Sequence, residues 1–324
     1  MDIRGRTTVA LAAVCITTAM HAAAQPFPTQ PIRVLIGLPA GTSPDVVART
    51  LGAAMAPLLA QPVIVENRPG AGGTLATSAT AAAAPDGYVL NASGCSGDSI
   101  THAFTSQGRP PLVLFKDLAP VGRMMRDHWL VLVPGNSPVA SLKALAAFAR
   151  SQPNPVAYPS QGDGSSPHLQ GARLARALGF EALHVPYKDG AMNDLIGGRL
   201  AFAVQGSAAS VPLIASGRLR ALAVLSPERL PALPDVPTTE QAGLKGHVFN
   251  GGICLWAPGK TPRSTQVRLN TALADASRDA SVRARFDTLG VEPMTSDLDE
   301  TVRFVTAFSA ASDQWRAEVF GPGR

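Results

Sequence analysis

Two stretches of the chain carry one local design. Leu38-Pro39-Ala40-Gly41-Thr42-Ser43-Pro44-Asp45 closes an apolar run and opens a helical one, and Tyr158-Pro159-Ser160-Gln161-Gly162-Asp163-Gly164-Ser165-Ser166-Pro167-His168 does the same further on. In each, a serine before a proline suits the N-cap and first position of a helix: Ser43 with Pro44, Ser166 with Pro167. The first amides of a helix lack intrahelical partners and lie at its positive end, so they bind carboxylate or phosphate oxygens. Glycine lets a ligand approach the backbone, and serine and threonine hydroxyls add donors. Taken singly, each stretch is also an ordinary helix cap. Together they predict two cradles that hold a small carboxylate between two lobes.

Other chemistries fit less well. Gly94-Cys95-Ser96-Gly97-Asp98 starts like a nucleophile elbow but lacks its closing glycine, and Gly70-Ala71-Gly72-Gly73-Thr74-Leu75 lacks the third glycine of a dinucleotide loop. Ser166 and His168 lie close in sequence, yet on the first turn of a helix their side chains diverge. Hydrolysis is disfavoured. His102, His128, His168, His184 and His247 never fall at zinc-site spacings, so no metal or cofactor is expected.

These cradles need strands and helices to carry them. Ile32 to Leu38 reads as a strand, Asp45 to Leu59 as a helix with Val47, Leu51, Met55 and Leu58 on one face, and Val63 to Glu66 as the next strand. A helix at Thr74 to Ala84 and a strand at Tyr88 to Asn91 follow. Leu130 to Val133, Val156 to Tyr158, Leu183 to Pro186, Phe202 to Gln205 and Leu219 to Leu225 are further strands. Helices at Ser141 to Arg150, Pro167 to Leu178, Ala191 to Gly197 and Ala209 to Ser216 lie between them, the first with a serine cap. This alternation predicts α/β lobes with largely parallel sheets. Ser226 to Gly246, holding four prolines, reads as a connection between lobes. A strand at Gly252 to Ala257 and helices at Pro262 to Ser277 and Ser296 to Phe320 complete the chain, the helices packing back on the first lobe.

With 324 residues, 46% of them hydrophobic and 16% charged, the chain is a globular protein of two lobes, neither disordered nor a coiled coil. The net charge of +5 contains no basic run and aromatics are sparse, which excludes nucleic acid as a partner. Residues 1–24 read as a removable export signal: Arg4 and Arg6, an apolar stretch from Val9 to Met20, and Ala22-Ala23-Ala24 before Gln25. The stretch is too short and interrupted to span a bilayer. Export makes one disulfide between Cys95 and Cys254 possible; two cysteines so far apart carry no framework signature, and two partly buried thiols are the plainer reading.

Many segments match a known pattern: Pro39-Ala40-Gly41, Asp45-Val46-Val47-Ala48-Arg49, Val65-Glu66-Asn67-Arg68-Pro69-Gly70-Ala71-Gly72-Gly73, Pro85-Asp86-Gly87-Tyr88, His168-Leu169, Val185-Pro186-Tyr187-Lys188, Gly217-Arg218-Leu219-Arg220-Ala221-Leu222-Ala223-Val224, Pro234-Asp235-Val236-Pro237-Thr238 and Ala257-Pro258. From Gln30 to its C-terminal helix the chain resembles the solute receptors of tripartite tricarboxylate transporters, the Bug family of periplasmic binding proteins.

The resemblance implies a type II periplasmic binding protein fold: two α/β lobes joined by crossover strands with the ligand cleft between them. Lobe 1 is residues 25–126 and 250–324, lobe 2 residues 127–249. It implies a periplasmic monomer that captures a small carboxylate solute and delivers it to the membrane permease subunits of a transporter. The alternative of a sensor feeding a signalling partner stays open. The ligand-binding residues it points to are Ala40, Gly41, Thr42, Ser43 and Asp45; Gly94 and Ser96 of a third wall, Ser93 to Ser99; Gln161, Gly162, Gly164, Ser165, Ser166 and His168; and Gln205. Thr42, Asp163, Asp189 and Gln205 depart from the family's usual residues. An inward Asp163 would repel a second negative group, so the solute's far end is expected to be neutral or cationic unless Lys188 turns in.

Overall fold

The computed structural model describes residues 27–70, 73–96, 112–188, 191–249 and 251–321. The export signal, residues 97–99 of the expected third wall, and Asp189 lie outside them.

The first lobe is built on a sheet of six strands ordered β11-β4-β10-β3-β1-β2. β1 (Ile32–Ile36), α1 (Ser43–Leu59) and β2 (Val63–Asn67) form a β-α-β unit, with Val34 opposite Val65 in parallel register. α2 (Thr74–Ala81) leads into β3 (Val89–Gly94), which pairs with the other edge of β1, also parallel. Val47, Leu51, Met55 and Leu59 of α1 are buried against this sheet. Leu58, expected on that face, is exposed, because a period of 3.6 residues brings Leu59 round instead.

The sheet is mixed, which corrects the expectation of largely parallel pairing. β10 (Gly251–Pro258) lies between β4 (Leu118–Asp127) and β3 and pairs with both in antiparallel fashion. β4 and β10 carry the chain out of the first lobe and back into it, so they necessarily run in opposite senses. The short β11 (Glu292–Pro293) adds to the far edge of β4.

In the second lobe, β5 (Trp129–Pro134) is buried along its whole length between β8 (Ala203–Gly206) and β9 (Leu219–Val224), both antiparallel to it. β6 (Val156–Ser160) and β7 (Ala182–Pro186) form a separate parallel pair. The helices are α3 (Leu142–Ser151), whose N-cap Ser141 accepts from the Ala144 amide, α4 (Ser166–Leu178), α5 (Ala191–Ile196) and α6 (Ser207–Ala215). The proline-rich segment is no free linker: Val224 and Thr239 exchange backbone hydrogen bonds with Pro237 and Val224, tying it to β9.

The C-terminal part holds three helices where two were expected: α7 (Arg263–Arg278), α8 (Ala280–Leu289) and α9 (Leu298–Phe320). Asp279 caps α8 and an Asp297–Glu300 capping box starts α9. α7 lies against α1 and β4, as expected, but α9 packs against both β4 and α4 and so touches both lobes.

Cys95 and Cys254 are joined by a disulfide, overturning the reading of two thiols. Antiparallel pairing of β3 with β10 brings them together: the Cys95 amide donates to the Gly252 carbonyl, leaving the two Cα atoms 5.0 Å apart. The bond closes a loop of 159 residues. Replacing both cysteines with alanine is therefore expected to lower the free energy of unfolding by about 2–4 kcal/mol. Urea unfolding of the two proteins checks this; a loss below about 1 kcal/mol would contradict it.

Candidate functional site

A cleft between the lobes encloses about 1060 Å³ of empty space, its open mouth included. Four helices begin on its wall. Thr42, Ser43 and Pro44 open α1, Gly73 and Thr74 open α2, Ser165, Ser166 and Pro167 open α4, and Gly206 precedes α6. The first amides of a helix have no intrahelical acceptor and lie at its positive end, so the openings of these helices give the cleft a positive lining with no basic residue among the described ones, although the Ser207 amide of α6 is taken by the His128 carbonyl.

Both cradles start one residue earlier than expected. Thr42, not Ser43, is the N-cap of α1, and its hydroxyl donates to the Pro39 carbonyl. Ser165, not Ser166, is the N-cap of α4, with its hydroxyl donating to the Gly162 carbonyl at 2.7 Å. The consequence is chemical: Ser43, relieved of capping, holds a buried Oγ with no hydrogen-bond partner on the cleft wall.

Of the expected ligand-binding residues, Thr42, Ser43, Gly94, Ser96, Gln161, Ser165, Ser166 and Gln205 line the cleft. Ala40, Gly41, Asp45, Gly162, Gly164 and His168 do not, and they shape the loops instead. Gly41 has φ +82°, and its amide donates to Asp45 Oδ2 at 2.9 Å. Asp45 Oδ1 accepts from Arg49 and Asn67. Burial alone would raise the Asp45 pKa, but Arg49, the Gly41 amide and Asn67 outweigh it and hold the carboxyl below its ordinary range. Asp45 thus braces the first cradle from behind. Gly162 and Gly164, at φ +123° and +75°, supply the tight bend of the second.

His168 is turned away from the cleft. Its Nδ1 accepts from the Gly164 amide, and its ring stacks on His184 with centroids 3.7 Å apart and planes 9° apart. Exposed Asp163 points at this pair, 3.5 Å from His184 Nδ1, and neither Asp163 nor Lys188 is on the cleft wall. Burial lowers the His184 pKa, against the pull of Asp163. One oxygen and two ring nitrogens come within 4.8 Å of one another here, although sequence spacing gave no sign of it. His168 Nδ1 already accepts from the Gly164 amide, and none of the three residues lines the cleft.

The sequence reading missed the apolar wall and one charge. Trp129 and Phe249 meet edge to face at 4.9 Å, and Phe308 of α9 packs on Phe249. Gly251 and Gly252, a glycine pair inside a buried strand, let the cleft reach the backbone of β10. Asp127, the last residue of β4, is the only ionisable side chain on the wall among the described residues. It is 3% exposed. Burial pushes its carboxyl up to about 7, with the Trp129 indole and Ser207 amide pulling the other way. The available signal was weak: an acid set between Arg126 and His128, just ahead of the apolar run of β5.

A family model described as tripartite tricarboxylate transporter family receptor matches residues 47–316. Protein BugT of Bordetella pertussis is 35% identical over 303 residues, covering 92% of each chain. Among solved structures, the periplasmic binding protein BugD superposes with a TM-score of 0.82 at 31% identity, covering 91% of this chain and 97% of that one. MatC from Rhodopseudomonas palustris with bound malate gives 0.82 at 29% identity, covering 90% and 100%. An R. palustris protein with adipate gives 0.84 at 27% identity, covering 90% and 98%. Like these relatives, the chain is a solute-binding protein and not an enzyme. It belongs to the tripartite tricarboxylate transporter receptors, a family of periplasmic solute receptors.

Proposed function

We propose that the chain is exported, binds a small solute through a carboxylate in this cleft, and delivers it to the permease subunits of a tripartite transporter. One observation carries the reading: four helix N-termini, supplemented by the hydroxyls of Ser43 and Ser166, open on a cleft with no lysine, arginine or histidine on its described wall. Each terminus presents roughly half a positive charge, so two of them balance one carboxylate. Malate and adipate in related structures support the ligand class. We take residues 25–126 with 250–324, and 127–249, as the two bodies that close on the solute, and Thr42, Ser43, Gly94, Ser96, Gln161, Ser165, Ser166 and Gln205 as its contacts.

A thermal-shift screen of the whole chain against malate, adipate, succinate, citrate, aspartate, glutamate and short monocarboxylates tests this. At a hundred times its dissociation constant, a bound carboxylate stabilises by about 2.7 kcal/mol and raises the melting temperature, whereas the matching uncharged amide leaves it unchanged. No shift with any carboxylate would overturn the proposal.

A further inference from the structure

Asp127 ends β4 at the passage between the lobes, and three observations single it out. Its Oδ1 is buried and makes no hydrogen bond. Beside it lies a second orphan, Ser43 Oγ. The two belong to one spot: a Cβ added to Gly206 would meet Asp127 Oδ2 at 2.4 Å, Asp127 Oδ1 at 2.7 Å and Ser43 Oγ at 2.8 Å. Glycine at 206 thus keeps open the space in front of a carboxyl and a hydroxyl.

Among the described residues, the protein offers this carboxyl no cation. Arg126 and His128, its chain neighbours, both face Glu292, each at 3.1 Å. Arg123 lies over the Phe304 ring, and Arg49 is held by Asp45 and Asn67. A buried carboxylate is costly unless paired, and as an acceptor it satisfies itself only with donors. Cost left in an empty binding cleft is recovered when a ligand brings the missing partner.

We propose that Asp127, with Ser43, reads an ammonium group on the solute, so that the receptor selects amino carboxylates over diacids of the same length. This rests on the cleft being the carboxylate site. The solute's carboxylate sits at the helix openings and its ammonium against Asp127 Oδ1. A diacid would instead bring its second charge to a carboxyl.

Calorimetry of the full chain at pH 7.5 with matched pairs decides the matter: glutamate against glutarate, aspartate against succinate, 4-aminobutyrate against butyrate. In at least one pair the amino member is expected to bind about 30-fold tighter or more. Asp127→Asn is expected to erase that gap to within about threefold by weakening the amino member alone. A second readout needs no variant: an ammonium that ionises the buried carboxyl releases protons, so the apparent binding enthalpy of the amino member varies between buffers of different ionisation enthalpy. Equal affinity within every pair, or an Asp127→Asn protein that keeps the preference, would overturn the inference. Tight succinate or glutarate binding in that event leaves the carboxylate site standing, whereas no binding by any of the six compounds removes both readings.

Discussion

Gly206→Ala is expected to weaken the best-bound carboxylate between about tenfold and a hundredfold while the protein stays folded. The backbone tolerates the change, since residue 206 has φ −66° and precedes α6 as its N-cap. The space does not. The new methyl group would lie 2.4 Å from an oxygen of Asp127, a side chain packed on every side but the cleft. Relief requires Asp127 or Ser43 to move into the ligand's volume, and overpacking of this kind costs about 1–3 kcal/mol, which here falls on binding. Calorimetry alongside a thermal melt measures both quantities. Affinity within threefold of wild type would show that the Asp127 and Ser43 corner is not ligand space.

The second expected result is a pair of opposite pH dependences in stability. His247 is 3% exposed, its Nε2 has no partner, and burial, with Arg173 adding repulsion, lowers its pKa to about 3. Between about 6.5 and 3 the unfolded chain takes up a proton that the folded chain refuses, so stability falls as pH drops, by about 1.4 kcal/mol per unit. Asp127 acts in the other direction. Its folded carboxyl titrates at about 7 against 3.8 ordinarily, so the folded chain keeps a proton the unfolded chain has lost, and stability falls as pH rises through that window. The two slopes offset each other between about pH 4 and 6.5. Measured by urea unfolding of the unliganded protein at pH 4.5 and 6.5, His247→Gln relative to wild type should lose about 2 kcal/mol over the rise. Asp127→Asn should gain a similar amount. Parallel curves for either variant would show that its group titrates alike in both states.

Much of this architecture was legible because it is local. Val47, Leu51 and Met55 mark the buried face of α1 by spacing alone, and the glycine, serine and proline spacing of the cradles reports helix openings that the chain folds as such. β4 was not legible. Pro120, Gly122, Arg123 and Arg126 break any apolar alternation in a strand that is buried by β10 on one side and helices α7 and α9 on another. The corner at Asp127 was hidden for a related reason: Ser43 and Gly206 reach it only through tertiary packing. His168 looked like a cradle donor because its stacking partner, His184, arrives on β7, a different strand from the one that leads into α4.

The route of the chain through β10 sets an order of assembly. All strands of the second lobe come from one continuous stretch, Trp129 to Val224, whereas β10, which starts at Gly251, is the strand that bridges β3 and β4 in the first. Synthesised or threaded from its N-terminus, the chain can complete β5, β8 and β9 while β3 and β4 still wait for their common neighbour. Contacts of long sequence separation form slowly, so β3 is an unguarded edge for as long as residues 251–258 have yet to appear. Cys95 stands just beyond that edge as a free thiol until Cys254 arrives. A chain cut short before residue 251 therefore presents a sticky strand and a reactive sulfur together, and residues 251–324 work as the guard against its aggregation.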